Sequence, residues 1–233
     1  MSDQIDFYNN FGKLYKGSIL NSEDPARWTT DTNPQSRINM LMKERTDMQE
    51  RTCNKYFKIE MPVLDLGCGF GRQTFMLAKN GFSTVGVDSS MVFTDIGREL
   101  FRKHNLNGVF LCDSVISYIP ETTFSQVTLF DVIEHFEPSL RGKVVKHIAE
   151  HICSDDALVI FTFPFINPYS VFDTLMNMYK TITFRIEPIA KRKEHPYPLP
   201  TFKSFSKIIA PWFETVEYFH STDTAFFVLK KLS

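Results

Sequence analysis

Hydrophobic and polar positions follow two regimes along this chain, and the change falls near residue 60. Up to there the residues are polar, rich in Asn, Asp, Arg and Lys, with helix-compatible patches such as 37–51 and no β-forming run. This predicts an N-terminal helical arm over residues 1–60. From 62 onward, short apolar, β-branched runs at 62–66, 83–87, 108–112, 127–133 and 157–163 alternate with segments of helical length, the sign of βαβ units and a parallel sheet. Helices are predicted over 73–80, 91–104 and 138–153. In the last of these Val144, Val145, Ile148 and Ile152 recur at helical spacing, and Pro138 stands where a first turn tolerates it.

The alternation pauses over 164–212, where Pro164, Pro168, Pro188, Pro196, Pro198 and Pro200 punctuate two apolar, Phe- and Tyr-rich patches. A lid insertion is expected there, inside a single domain spanning 61–233. Two final runs, 213–220 and 224–230, are separated only by Ser221, Thr222 and Asp223, too few residues for a crossover helix, so they should pair as an antiparallel hairpin. The expected fold class is therefore α/β, a mixed seven-stranded sheet with an antiparallel last strand and helices on both faces.

Composition narrows the partners. The 233 residues are 43% apolar and 23% charged, enough to bury a full core, and the formal charge of −1 gives no basic footprint for nucleic acid. No run approaches the roughly 20 apolar residues of a membrane-spanning helix. The first ten residues lack a basic segment followed by an apolar one, and the four cysteines lie inside predicted elements, so a cytoplasmic protein with reduced thiols is expected. A small molecule is the expected partner. The sequence does not speak to oligomeric state.

The most informative segment is Val63-Leu64-Asp65-Leu66-Gly67-Cys68-Gly69-Phe70-Gly71-Arg72. Three glycines in five residues, between a strand and a helix, let the backbone turn sharply and approach a ligand, while the helix start offers free N–H groups. The second strand ends in Asp88, about twenty residues on, where a carboxylate can accept from both hydroxyls of a ribose. The third ends in Cys112-Asp113-Ser114, a further acidic tip on the same sheet edge. Arg72 stands where a dinucleotide fingerprint needs its third glycine, which disfavours a nicotinamide cofactor, and no nucleoside-triphosphate loop is present.

VLDLGCGFG, VGVDSS and LCDS together resemble motifs I, II and III of the class I S-adenosylmethionine-dependent methyltransferases, a Rossmann-like family. The resemblance covers residues 60–163. It implies that Gly67, Cys68 and Gly69 line the methionine part of S-adenosylmethionine, with Asp65 supporting the loop. Asp88, beside Ser89, would take the ribose hydroxyls, Asp113 and Ser114 the adenine amino group, and Met91 would pack on the adenine. Phe130-Asp131-Val132-Ile133-Glu134-His135 is similar to the E-x-x-E-H segment of ubiquinone-pathway O-methyltransferases, with Asp131 in place of the first Glu and Phe130 facing the cofactor. Asn33-Pro34-Gln35-Ser36-Arg37 is similar to that group's N-P-x-R element with one residue inserted, which implies Arg37 for the cofactor carboxylate. Tyr15 resembles an N-terminal aromatic that closes over the cofactor.

On this reading the chain is an enzyme that moves a methyl group from S-adenosylmethionine to a hydroxyl of a small aromatic or apolar metabolite, leaving S-adenosylhomocysteine. His135 and Asp131 are the candidate catalytic residues, His135 as the base for the hydroxyl proton. A small amine as acceptor, a metal-dependent RNA 2′-O-methyltransferase and a non-catalytic cofactor-binding protein are the rivals. Asp131, Glu134 and His135, completed by His195, offer ligand types suited to a divalent metal, though a metal-free site is favoured. His147-Ile148-Ala149-Glu150-His151 matches a zinc-protease pattern but lies beside the apolar stripe of a core helix, where flanking histidines are ordinary.

Overall fold

The computed structural model describes residues 2–164, 197 and 199–233. Most of the segment expected as a lid, with His195 and the aromatics before it, lies outside the described residues. Seven strands form one sheet in the order β3-β2-β1-β4-β5-β7-β6: β1 Val63–Leu66, β2 Thr84–Asp88, β3 Gly108–Cys112, β4 Phe124–Phe130, β5 Cys153–Pro164, β6 Phe213–His220 and β7 Thr224–Lys231. β1 to β5 pair in parallel, while β7 runs antiparallel to both β5 and β6, the hairpin that three connecting residues dictate. Chain order reverses between β1 and β4, so the crevice beyond their carboxyl ends is where ligands of open α/β sheets bind.

Helices lie on both faces because the strands are apolar on both. Leu64 and Leu66 of β1, Val127 and Leu129 of β4, and Val159 and Phe161 of β5 join Val144, Val145 and Ile148 in one buried cluster. Their alternates Val63, Phe130 and Ile160 join Cys53, Phe75, Leu77 and Phe101 in another. The helices are α1 Ser2–Leu20, α2 Arg37–Tyr56, α3 Arg72–Lys79, α4 Met91–Lys103, α5 Pro138–His147 and α6 Phe202–Ile209. The N-terminal 60 residues contribute α1 and α2, and α1 packs on α4 through Tyr8, Phe11, Tyr15, Ile19, Phe93 and Ile96.

Several boundaries differ from the sequence reading: β4 begins at Phe124 rather than at 127 and β5 at Cys153 rather than at 157. The helix expected over 138–153 leaves α-geometry after His147 and continues as a single π turn, Ile148–Ile152. Rings of His147 and His151 lie 5.0 Å apart, and His147 Nε2 donates to Tyr118 O at 2.9 Å. The fourth strand was expected to run to 133, yet it stops at Phe130 because Asp131 turns left-handed, with φ 57°, and the chain leaves the sheet into a 3-10 turn, Ile133–His135. No helix among the described residues is long and apolar enough to cross a membrane.

Candidate active site

The loop after β1 folds back over the end of β2. Gly67, Gly69 and Gly71 all have left-handed φ (72°, 56° and 86°), a region costly for residues with a Cβ. A Cβ on Gly67 would also sit 2.5 Å from the Val132 side chain. The N–H groups of Gly67 and Cys68 both donate to Val87 O, at 2.7 and 3.0 Å. That of Gly69 donates to Asp88 Oδ2 at 2.9 Å, and Ser90 N–H donates to Asp88 Oδ1 at 2.8 Å. Burial pushes the Asp88 carboxyl above its usual range, and the two backbone donors pull against that rise. Each carboxylate oxygen keeps a lone pair for a further donor. Beneath the loop, Asp65 is 1% exposed and accepts from Thr74 Oγ1 at 2.6 Å and Thr128 Oγ1 at 2.9 Å, which ties β1, α3 and β4 together.

Across the sheet, the left-handed turn at Asp131 sets the opposite wall. Asp131 Oδ2 accepts from Arg45 Nη1 at 2.7 Å, and Arg45 Nη2 donates to Asp223 Oδ2 at 2.8 Å, joining α2, the end of β4 and the β6–β7 turn. Asp131 Oδ1 accepts from Thr162 Oγ1 at 3.1 Å, and Thr162 in turn accepts from Gln49 Nε2. His135 follows one turn later, its side chain 22% exposed, with the Tyr8 hydroxyl 3.4 Å from Nδ1 and the two rings edge to face. Glu134 is fully buried, and both its carboxyl oxygens lack hydrogen-bond partners. Desolvation, with Asp131 adding repulsion, drives its carboxyl well above the usual range.

These walls enclose a cavity of about 350 Å³. Gly67, Cys68, Gly69, Asp88, Ser89, Ser114, Phe130, Asp131 and His135, all named from the sequence, line it. Asp65, Arg37, Met91, Asp113 and Tyr15 do not. Asp65 lies under the floor. Met91 is 64% exposed, Arg37 opens α2 at the surface, and Tyr15 packs on Phe11 and Trp28. Asp113 is exposed, with its N–H on Asp88 O and its Oδ1 accepting from Ser114 N–H and Ser117 Oγ. Sequence reading missed Tyr8, Met42, Arg72, Phe93 and Phe136 on the wall, and Arg45 behind it. Tyr8 carried a legible signal, since Tyr8, Phe11 and Tyr15 recur at helical spacing and thus share a face. Among the described residues, no group of three or more His, Cys, Asp or Glu side chains is placed to hold a metal ion.

Residues 63–155 match a family model described as Methyltransferase domain. No curated protein matches the sequence significantly. Among solved structures, magnesium protoporphyrin IX methyltransferase from Synechocystis PCC 6803, with bound SAH, superposes with a TM-score of 0.71 over 97% of each chain at 15% identity. The PH0226 protein from Pyrococcus horikoshii OT3 gives 0.68 over 88% of this chain and 96% of that one, at 22% identity. The [4+2]-cyclase SpnF gives 0.67 over 96% and 95%, at 12% identity. A methyltransferase and a cyclase on one fold show that architecture alone does not choose the reaction. The matched segment holds the glycine loop, Asp88 and the His135 turn, and the mixed seven-stranded sheet around it has the Rossmann-like architecture of these solved structures.

Proposed function

We propose that this protein transfers a methyl group from S-adenosylmethionine to a hydroxyl of a small, aromatic or otherwise apolar metabolite. The observation that carries the reading is that Asp88 and His135, a carboxylate and an imidazole on opposite walls, face one cavity. The donor set fits the cofactor: an acidic acceptor with spare lone pairs for a ribose diol, bare glycine backbone for close approach, Ser114 for a polar base edge and Phe130 for an apolar one. The sequence carries no G-x-x-x-x-G-K-[ST] loop, and this cofactor has no phosphate for one to cradle.

When bound, the cofactor supplies a sulfonium-activated methyl carbon open to in-line displacement. Everything else falls to the chain. Asp88 holds the adenosine and the glycine loop fixes its depth. Phe130, Phe136, Val115 and Phe93 exclude water and admit an apolar acceptor. His135 accepts the acceptor hydroxyl's proton, which an imidazole does well near neutral pH, while the Tyr8 hydroxyl holds the ring edge-on. Positioning supplies much of the acceleration in such a displacement. The test is calorimetric titration with S-adenosylhomocysteine, followed by a methylation screen of paired phenols and anilines. Micromolar binding and methylated phenols are expected; absence of binding, or methylated anilines alone, would overturn the reading.

A further inference from the structure

Among the described residues two carboxyls are buried outright, and the fold treats them differently. Asp65 accepts from the Thr74 and Thr128 hydroxyls. Glu134 has no hydrogen-bond partner on either carboxyl oxygen. A buried carboxyl left this way is costly, and an apolar side chain would fill the same space at less cost. Its placement is nevertheless enforced. The 3-10 turn Ile133–His135 carries both Glu134 and His135, Arg141 of α5 donates to the carbonyl oxygens of Glu134 and Phe136, and Gln4 of α1 donates to that of His135. Held so, the two consecutive side chains diverge: Glu134 lies behind the wall, and His135 lines the cavity.

The group within ion-pair distance of Glu134 is this neighbour, with His135 Nε2 3.9 Å from Glu134 Oε1. The Tyr8 hydroxyl lies 3.4 Å from Nδ1 and 3.5 Å from Nε2, so it does not distinguish the two nitrogens. Glu134, on the Nε2 side, does. We propose that Glu134 is a positioning residue acting through His135: it keeps the imidazole proton on Nε2, so that the Nδ1 lone pair is the base of the site. A carboxylate behind an imidazole fixes which nitrogen is protonated and stabilises the imidazolium once a proton arrives. In the transfer, the acceptor oxygen bonds to the methyl carbon, the C–S electron pair leaves on sulfur, and the O–H proton goes to Nδ1. The positive charge lost from the sulfonium reappears on His135, beside Glu134. Around the pair, Asp131 at the end of β4 pushes the Glu134 carboxyl up, as burial does, while Arg45 of α2 and Arg141 of α5 pull it down. Carboxyl and imidazole titrate together, and release of their shared proton leaves a carboxylate facing Nε2–H.

The experiment records proton–nitrogen correlation spectra of the histidine rings against pH in wild type, Glu134→Gln and Glu134→Asp, with His135→Ala assigning the signal among the chain's six histidines. The neutral wild-type His135 ring is expected to carry its proton on Nε2. Glu134→Gln should lower its titration midpoint by about 1–2 pH units and mix the tautomers, with Glu134→Asp in between. A wild-type ring protonated on Nδ1, a result that needs no variant to fold, would overturn the proposal, as would an unchanged midpoint in Glu134→Gln. No substrate is present in this arm, so it stands apart from the methyltransferase reading on which the role of the base rests. The second arm follows turnover against pH with a phenol methylated in the screen above. Glu134→Gln should move the rising limb of kcat/KM to lower pH and reduce kcat about 10- to 100-fold with KM unchanged, since Glu134 does not line the cavity. A loss of kcat without a moved limb marks a merely structural residue and would overturn the proposal. Nε2 protonation in a wild type that methylates nothing would instead sink the methyltransferase reading and leave the pairing of Glu134 with His135 standing.

Discussion

Asp65 links the strength of the fold to pH through one buried carboxyl. It is 1% exposed, and desolvation raises its pKa from the ordinary 3.8 to about 6, against the pull of the Thr74 and Thr128 hydroxyls and with some repulsion from Asp88. The folded protein therefore holds the Asp65 proton more tightly than the unfolded chain does. Stability from this group is fully present below pH 3.8 and is lost as pH rises toward 6, because the unfolded chain has released a proton that the folded one retains. A pKa difference between 3.8 and about 6 corresponds to about 3 kcal/mol. Burial also raises the carboxyls of Asp88 and Glu134, so the perturbation must isolate this one.

Asp65→Asn removes the titration while keeping the shape of the side chain. Its constant cost, from presenting an amide where two hydroxyls and the Thr74 N–H donate, does not matter; the pH slope does. Urea unfolding of both proteins at intervals from pH 4 to pH 8 should show the wild type losing about 2 kcal/mol relative to Asp65→Asn between pH 4 and pH 6, with the difference flat above about pH 7. A difference that stays constant across the range, or one that grows in favour of the wild type with rising pH, would refute the assignment of desolvation as the dominant cause.

Other consequences are equally concrete. Gly97→Ala in α4 should cost about 1–3 kcal/mol despite better helix propensity, since its Cβ would lie 2.5 Å from the Phe110 ring; Gly142→Ala in α5, where nothing lies within 4 Å, should gain about 0.5–1 kcal/mol by urea titration. Arg45→Met should destabilise by about 3 kcal/mol, because Asp131 and Asp223 both lose their shared cation, and Asp131→Asn in that background should restore part of the loss. His135→Ala should lower turnover about 100-fold or more with S-adenosylhomocysteine affinity unchanged, whereas Tyr8→Phe, which removes only an orienting hydroxyl, should cost less than about 10-fold; a fully active His135→Ala removes the imidazole from the chemistry.

The parallel strands and the final hairpin were legible because the signals for both are local. Each parallel strand is a short apolar run bounded by turn residues, and the three-residue Ser221–Asp223 gap leaves only a hairpin. The boundaries that slipped did so for reasons outside any local window. β4 ends at Phe130 because Asp131 takes a left-handed turn, tied by its side chain to Arg45 and Thr162, both distant in sequence. The π turn at Ile148–Ile152 adds a residue to the helix without disturbing the apolar stripe, so the sequence pattern passes through it unmarked.

The same division explains the site. Gly67, Gly69 and Asp88 could be named because a turn's need for positive φ and a strand tip's need for an acceptor are written within a few residues of one another. Arg45 could not, since its partners lie 86 and 178 residues away and nothing in the surrounding polar helix distinguishes it from Arg37 or Arg51. Arg72 was visible in the sequence only as a residue that broke a dinucleotide pattern. What the structure adds is its place on the cavity wall, with its guanidinium over the Phe70 ring and one nitrogen on Met42 Sδ, which is a property of three-dimensional surroundings that no local window carries.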